Sequence, residues 1–179
     1  MADVLQEIQG LRRELEGVEG YLRKDTAARI NEVLDRARQE RSEDRVLAAI
    51  GPASEMPAAH PHSPGMDPSY ADLRGDTGRA ELEQAEAACR DASLHERVRL
   101  LRHSLWGTSG ERQIPKRVND MFEALMAWAR EELSGHERLE TIADPDPAPE
   151  TYELSELTYG QAQATLGLIE CELEHAGRG

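Results

Sequence analysis

Basic side chains are concentrated around a glycine-containing loop in the middle of the sequence. The loop runs from Trp106 to Gly110, and Pro115 beyond it suits the first turn of a helix. Guanidinium and ammonium groups beside the free N–H groups of a helix start can hold a phosphate or a carboxylate. The candidate anion-binding residues are Arg97, Arg102, Arg112, Lys116 and Arg117. The alternative, which we favour, is a solvated surface neutralised by the acidic last helix. Trp106, at the loop edge, is the large aromatic residue best placed for a contact.

An arginine and a histidine lie five residues apart in the segment Arg90-Asp91-Ala92-Ser93-Leu94-His95. This segment resembles the signature of HEPN-type ribonucleases, all-α proteins in which a paired arginine and histidine cleave RNA. The resemblance implies that Arg90 and His95 lie at a dimer interface and that the histidine acts as the acid–base group. The same looser spacing is shared by two other pairs, Arg97 with His103 and Arg130 with His136.

Metal ligands and nucleophiles are sparse in the sequence. Glu172 and His175 have the Glu-x-x-His spacing of di-iron bundles, but the second such motif that those sites need is missing. We therefore expect no metal site and no cofactor. Cys89 and Cys171 fall on or next to apolar stripes, so we expect them in the core rather than as nucleophiles.

Residues 2–50 contain no proline and begin with a heptad-like seam. Its apolar residues, spaced alternately four and three positions apart, predict a helix with one apolar stripe, which favours a left-handed supercoil with a partner helix. That partner is either another protein chain or a neighbouring segment of this one. The candidate partner-binding residues are Val4, Ile8, Leu11, Leu15, Val18 and Leu22.

The seam breaks at Lys24-Asp25-Thr26, where polar residues occupy positions expected to be apolar. A second apolar stripe runs from Ile30 to Ile50, interrupted by the charged run Arg38–Arg45. Either residues 2–50 form an antiparallel helical hairpin, or they form one long coiled-coil-like helix that pairs with another chain. No Gly-Pro turn lies at the break, so we favour the long helix.

Proline and glycine mark the clearest boundary in the chain. Residues 51–78 contain five prolines and four glycines but few apolar side chains, which predicts a flexible linker. Helical periodicity returns at residue 79, and Ser93 with Glu96 has the form of a capping box. No alternating strand pattern is present, and the last helix is predicted to start near Ser155. The sequence thus predicts an all-α protein with an association segment at 1–50, a linker at 51–78 and a bundle of three or four helices at 79–179.

Composition excludes several classes of protein. The 179 residues carry a formal net charge of −14, which repels phosphates and makes nucleic acid an improbable partner. The acidic excess is greatest in residues 136–179, which hold 10 acidic and 2 basic residues. No apolar run is long enough to span a membrane, and no secretory signal begins the chain. Two cysteines cannot form a disulfide framework, so we expect a cytoplasmic protein.

These patterns predict a non-enzymatic interaction or assembly protein. It would form a homo-oligomer, or dock on a helical partner protein, through the segment from Val4 to Ile50. Two alternatives stay open. One is a HEPN-like ribonuclease of a toxin or defence system, and the other is an acidic decoy that occupies the basic groove of a nucleic-acid-binding protein.

Overall fold

A computed structural model describes residues 2–52, 69–134 and 154–176. This part of the chain is predominantly helical, as predicted, with seven helices and four short strands. In chain order the elements are α1 (Ala2–Glu14), β1 (Tyr21–Arg23), α2 (Lys24–Glu40), α3 (Arg45–Ala49), β2 (Tyr70–Arg74), α4 (Gly75–Cys89), α5 (Leu94–Ser104), β3 (Gln113–Pro115), α6 (Lys116–Glu132), β4 (Leu154–Thr158) and α7 (Tyr159–Ala176). None of the seven helices is long and apolar enough to cross a membrane.

Residues 2–50 fold as separate helices, so the favoured prediction of one long helix is wrong. α1 ends at Glu14, and Gly17, at φ 75°, turns the chain towards β1. Glycine tolerates this left-handed conformation because it has no Cβ. α1 packs on α2 and α4 of the same chain. Five seam residues are at most 4% exposed, and the sixth, Val18, packs at the edge of the core; the buried five are Val4, Ile8, Leu11, Leu15 and Leu22.

Four short strands, which the sequence analysis did not expect, join parts of the chain that are distant in sequence. β1 pairs with β2 and β3 with β4, each as a separate antiparallel two-stranded ribbon. Strands of three to five residues are too short to show a clear alternating pattern. β2 and the first turn of α4 lie within residues 69–78, a stretch that the sequence analysis assigned to the linker. Residues 53–68 of that predicted linker lie outside the described residues.

The same order of elements occurs twice in the described chain, except that α3 has no counterpart among the described residues of the second half. β1 and α2 (residues 21–40) recur 92 positions later as β3 and α6 (113–132), and β2 with the start of α4 recurs 84 positions later as β4 and α7. The four buried apolar residues of the α1 stripe recur 90 positions later, in the same order, as Leu94, Val98, Leu101 and Leu105. We call residues 2–89 repeat one and residues 94–176 repeat two.

Equivalent backbone contacts close each repeat. The Gly75 N–H donates to the Gly20 carbonyl at 2.9 Å, and the Tyr159 N–H, 84 positions later, donates to the Arg112 carbonyl at 2.8 Å. Each bond joins the start of the last helix of a repeat to the loop that follows the first helix. A Cβ on Gly160 would lie 2.9 Å from the Gly110 oxygen, and one on Gly75 would lie 2.7 Å from Cγ1 of Val18. Both positions therefore require glycine because the chain segments approach so closely.

α4 is the central helix, and most of its residues are buried. Three of its polar side chains each bond a different surrounding helix. Glu81 accepts two hydrogen bonds from the Arg117 side chain of α6, at 2.5 and 2.8 Å. Gln84 exchanges hydrogen bonds with Arg97 of α5, and Glu86 accepts from Gln9 and Arg12 of α1. These buried polar groups are thus satisfied, and they fix the neighbours of α4 in both repeats. The apolar core around them is continuous from Val4 to Ile169.

Candidate binding cleft

Most of the arginines predicted to form an anion site are engaged within the chain. Arg97 is 1% exposed and bonds Asp44, which also caps α3. Arg102 pairs with Glu170 at 2.5 Å, and Arg117 pairs with the buried Glu81. Lys116 pairs with Asp120 one helical turn away, at 2.8 Å. The acidic last helix supplies one of these partners, and other helices supply the rest.

Arg112, the remaining predicted residue, lines a cleft of about 520 Å³ between the two repeats. The cleft lies where the start of α4 faces the α5–β3 loop and the start of α7. Its basic side chains are Arg74, Arg79 and Arg112, and its acidic side chains are Glu19 and Asp76. The lining therefore carries a net charge of +1, three basic against two acidic residues, on a protein whose net charge is −14.

The three cleft arginines differ in how they are held. Arg74 is fixed: its side chain donates to the Glu19 carbonyl at 2.6 Å and to Asp76 at 3.3 Å, and it lies over the Tyr21 ring. Arg79 and Arg112, by contrast, have no ion pair within the part of the chain that the structure describes. Their guanidinium groups are available to an acidic ligand, for which the planar fork is well suited.

Two aromatic residues add contact area and a hydrogen-bond donor. Trp106 is 71% exposed at the edge of the cleft, although its backbone N–H is held by the His103 carbonyl at 3.0 Å. Burial raises the pKa of the Tyr159 phenol, and the Asp76 carboxylate raises it further, against the effect of Arg112 and Arg74. Tyr159 therefore stays protonated at neutral pH.

A second cleft, of about 680 Å³, has the opposite character. Its acidic lining residues are Glu40, Glu43, Asp44, Asp91 and Glu132. The two arginines that line this cleft are already engaged: Arg41 bonds Asp91 at 2.6 and 2.8 Å, and Arg97 bonds Asp44. This cleft offers no comparable site for an anion.

Arg90 and His95, the residues of the predicted ribonuclease pair, flank the turn between α4 and α5. Arg90 follows the last residue of α4 and pairs with Glu96 at 3.3 Å, while His95 lies in the first turn of α5, 3.7 Å from Glu174. Each of them thus faces a carboxylate, and the ribonuclease hypothesis stays a prediction. Of the cysteines, Cys89 is buried as predicted, whereas Cys171 is exposed.

Trp106 and Arg112 were predicted from the sequence as contact residues, whereas Arg74, Arg79 and Tyr159 were not. Residues 70–78 were assigned to a linker, and Arg79 was the first residue of the predicted bundle, with no role assigned to it. Tyr159 was placed inside the predicted last helix. Arg74 and Arg79 lie among acidic residues and Tyr159 has no basic neighbour in the sequence, so no local pattern marks them as a site. Comparison with known protein families, curated proteins and solved structures gives no match to this chain.

Proposed function

We propose that this protein is a non-enzymatic interaction protein that holds an acidic segment of a partner protein in the cleft between its repeats. The observation that carries the proposal is the exposed Trp106 beside Arg79 and Arg112, two arginines without ion pairs among the described residues. Tryptophan and arginine are the residue types that most often dominate binding energy at protein interfaces.

The burial of the seam residues favours the cleft, rather than the predicted seam, as the surface that binds a partner. Because Val4, Ile8, Leu11, Leu15 and Leu22 are buried against their own chain, docking through them would require the α1–α4 packing to open. The cleft needs no such opening, since its aromatic and basic side chains already face solvent or a concave space.

Charge and size favour an acidic peptide over other anionic partners. The net charge of −14 repels the extended phosphate backbone of a nucleic acid, whereas a short carboxylate-bearing segment contacts only the positive cleft. A volume of about 520 Å³ accommodates a few side chains. An acidic partner would be attracted by the arginines of the cleft and repelled by the negative surface elsewhere, which would orient it as it binds.

Binding can be tested with a short fluorescein-labelled polyglutamate peptide, followed by fluorescence anisotropy at low and at physiological ionic strength. We expect the double variant Arg79→Glu/Arg112→Glu to lower the affinity at least about tenfold, which is about 1.4 kcal/mol. Trp106→Ala should lower it by a similar or larger factor, since it removes the aromatic anchor.

The matched control is Arg13→Glu/Arg99→Glu, which makes the same charge change at exposed residues outside the cleft. It should leave the affinity within about twofold at physiological salt, because exposed charges are screened beyond the Debye length of about 8 Å. Equal loss in the two double variants, or no binding by the wild type, would refute the proposal.

The predicted homo-oligomer is tested separately, by the mass of the full chain in light scattering. If the wild type is a dimer and Arg79→Glu/Arg112→Glu is a monomer, then the acidic segment belongs to a second copy. If both are monomers, the partner is a different protein and the homo-oligomer prediction is wrong.

A further inference from the structure

Three side chains of types that can bind a metal meet where α5 crosses α7, away from the cleft of Arg79 and Arg112 and beside the second cleft, which His95 lines. His95 lies in the first turn of α5, and Glu170 and Glu174 lie one helical turn apart on α7. One ligand atom from each of them lies within 4.8 Å of the others. The His95 Nε2 atom is itself buried and has no hydrogen-bond partner among the described residues. The Glu174 carboxylate oxygen is 3.7 Å from it, beyond hydrogen-bond distance, and a metal ion would give this nitrogen a partner.

The equivalent place in repeat one shows what this location requires. Glu86 and Arg90 stand 84 positions before Glu170 and Glu174, and the Arg90 Nε atom lies 3.9 Å from the Glu86 carboxylate. In repeat two the arginine is replaced by Glu174, so a cation is lost and a second carboxylate is gained. Repeat two therefore has two carboxylates, one helical turn apart, where repeat one has an ion pair.

The remaining contacts orient the cluster without filling it. Arg102 pairs with one oxygen of Glu170, at 2.5 Å, which fixes the carboxylate and leaves its other oxygen open. Gly167 makes room for this, because a Cβ there would lie 3.2 Å from the Arg102 guanidinium carbon. The cluster also lies near the carboxyl end of α7, where the helix dipole favours a cation.

We propose that His95, Glu170 and Glu174 bind one divalent transition-metal ion, which ties α5 to α7 in repeat two. One imidazole nitrogen and two carboxylate oxygens form a ligand set that suits Zn²⁺, with water in the remaining position. Ligand atoms at 2.0–2.2 Å from one ion lie about 3.4 Å apart in a tetrahedral site. In the structure the three ligand atoms lie within 4.8 Å of one another. Rotation of the exposed Glu174 side chain would bring its carboxylate oxygen to the shorter distance that a bound ion requires.

The test is zinc binding by the full chain, measured by competition with a chromophoric chelator and by the melting temperature with zinc or with EDTA. We expect one zinc per chain and a melting temperature that rises with zinc. His95→Ala and Glu174→Gln should each weaken zinc binding at least about tenfold and abolish the rise. Their melting temperatures in EDTA report whether the variants fold.

The matched control is His175→Ala, because His175 lies beside Cys171 on the same helix and could bind zinc by itself. It should bind zinc as the wild type does. Zinc binding that is lost in His175→Ala but kept in His95→Ala would overturn the proposal, as would a wild type that binds no zinc. If His95→Ala does not fold, His95→Gln replaces it, and unchanged zinc affinity in both His95→Gln and Glu170→Gln would equally overturn the proposal.

Discussion

Glu86 and Glu170 occupy the same position in the two repeats, and each accepts a hydrogen bond from an arginine at an equivalent position on the first helix of its repeat. Arg12 bonds Glu86 in repeat one, and Arg102 bonds Glu170 in repeat two. The donors are 90 positions apart and the acceptors are 84 positions apart, as are the elements that carry them. The pairing of the first and last helices is therefore specified twice by the same charge pair.

The ion pair between Arg97 and Asp44 is predicted to be the most important polar contact for stability. Arg97 is 1% exposed, bonds Asp44 and Gln84, and lies over the Trp128 ring. Arg97→Met should lower the free energy of unfolding by about 3–5 kcal/mol, because it leaves Asp44 without its cation. Lys116→Met, which removes an exposed ion pair with Asp120, should cost less than about 1 kcal/mol. Equal losses in urea unfolding would contradict the prediction.

Alanine at the close-approach glycines should destabilise both repeats. Gly75→Ala places a Cβ against the Val18 backbone and side chain, and Gly160→Ala places one against the Gly110 carbonyl. We expect each to lower the free energy of unfolding by about 1–3 kcal/mol through overpacking. Gly10→Ala is the control, since its Cβ meets nothing within 4 Å and alanine favours the helix by about 1 kcal/mol. A loss in Gly10→Ala as large as in Gly75→Ala would refute this explanation.

Glu86 should make stability depend on acid pH. Burial raises the pKa of its carboxyl, but the hydrogen bonds from Gln9 and Arg12 outweigh burial and hold that pKa below its usual value. The stabilisation is therefore complete above the unfolded pKa, about 4.3, and is lost as the pH falls through the lower folded pKa. Glu86→Gln should be less stable at pH 7 and should lose less on acidification.

The control for this pH dependence is Glu16→Gln, an exposed residue without an ion pair in the described part of the chain. It should leave the pH profile of the unfolding free energy unchanged. An unchanged profile in Glu86→Gln as well would show that the acid dependence arises elsewhere.

The two cysteines should react at very different rates. Cys89 is 6% exposed and burial raises the pKa of its thiol, whereas Cys171 lies at the surface. Because the thiolate is the reactive species, Ellman's reagent should modify one thiol rapidly and the second only in denaturant. Cys171→Ser should abolish the rapid phase and Cys89→Ser should keep it; rapid reaction of Cys171→Ser would contradict the buried position of Cys89.

Local signals in the sequence predicted local structure well. The spacing from Val4 to Leu22 identified buried residues, and the predicted helix start at Ser93 is confirmed, with its hydroxyl accepting from the Glu96 N–H at 3.3 Å as the N-cap of α5. Glycine was misleading at Gly75 and Gly78, which were taken as linker residues. Gly75 is instead needed for close packing, and Gly78 lies in buried α4 near Ile30.

Features that depend on tertiary contacts could not be predicted. The burial of Arg97 depends on Asp44, which is 53 positions away, and a charged residue is otherwise expected at the surface. The cleft combines Arg79 with Trp106 and Tyr159 from three different elements. The repeat itself was missed because its three parts recur after 90, 92 and 84 positions, and because buried positions retain apolar character rather than identity.

The occurrence of both repeats in one polypeptide has a consequence for how sites can diversify. In a symmetric homodimer, one codon change alters two equivalent positions at once, so a like-charged pair created in one half is created in the other. Here the position of Arg90 and that of Glu174 are encoded separately. Repeat one can therefore keep the ion pair between Arg90 and Glu86, while repeat two has a glutamate in place of the arginine. A site can arise in one repeat in this way without the same change in the other and without a second gene product.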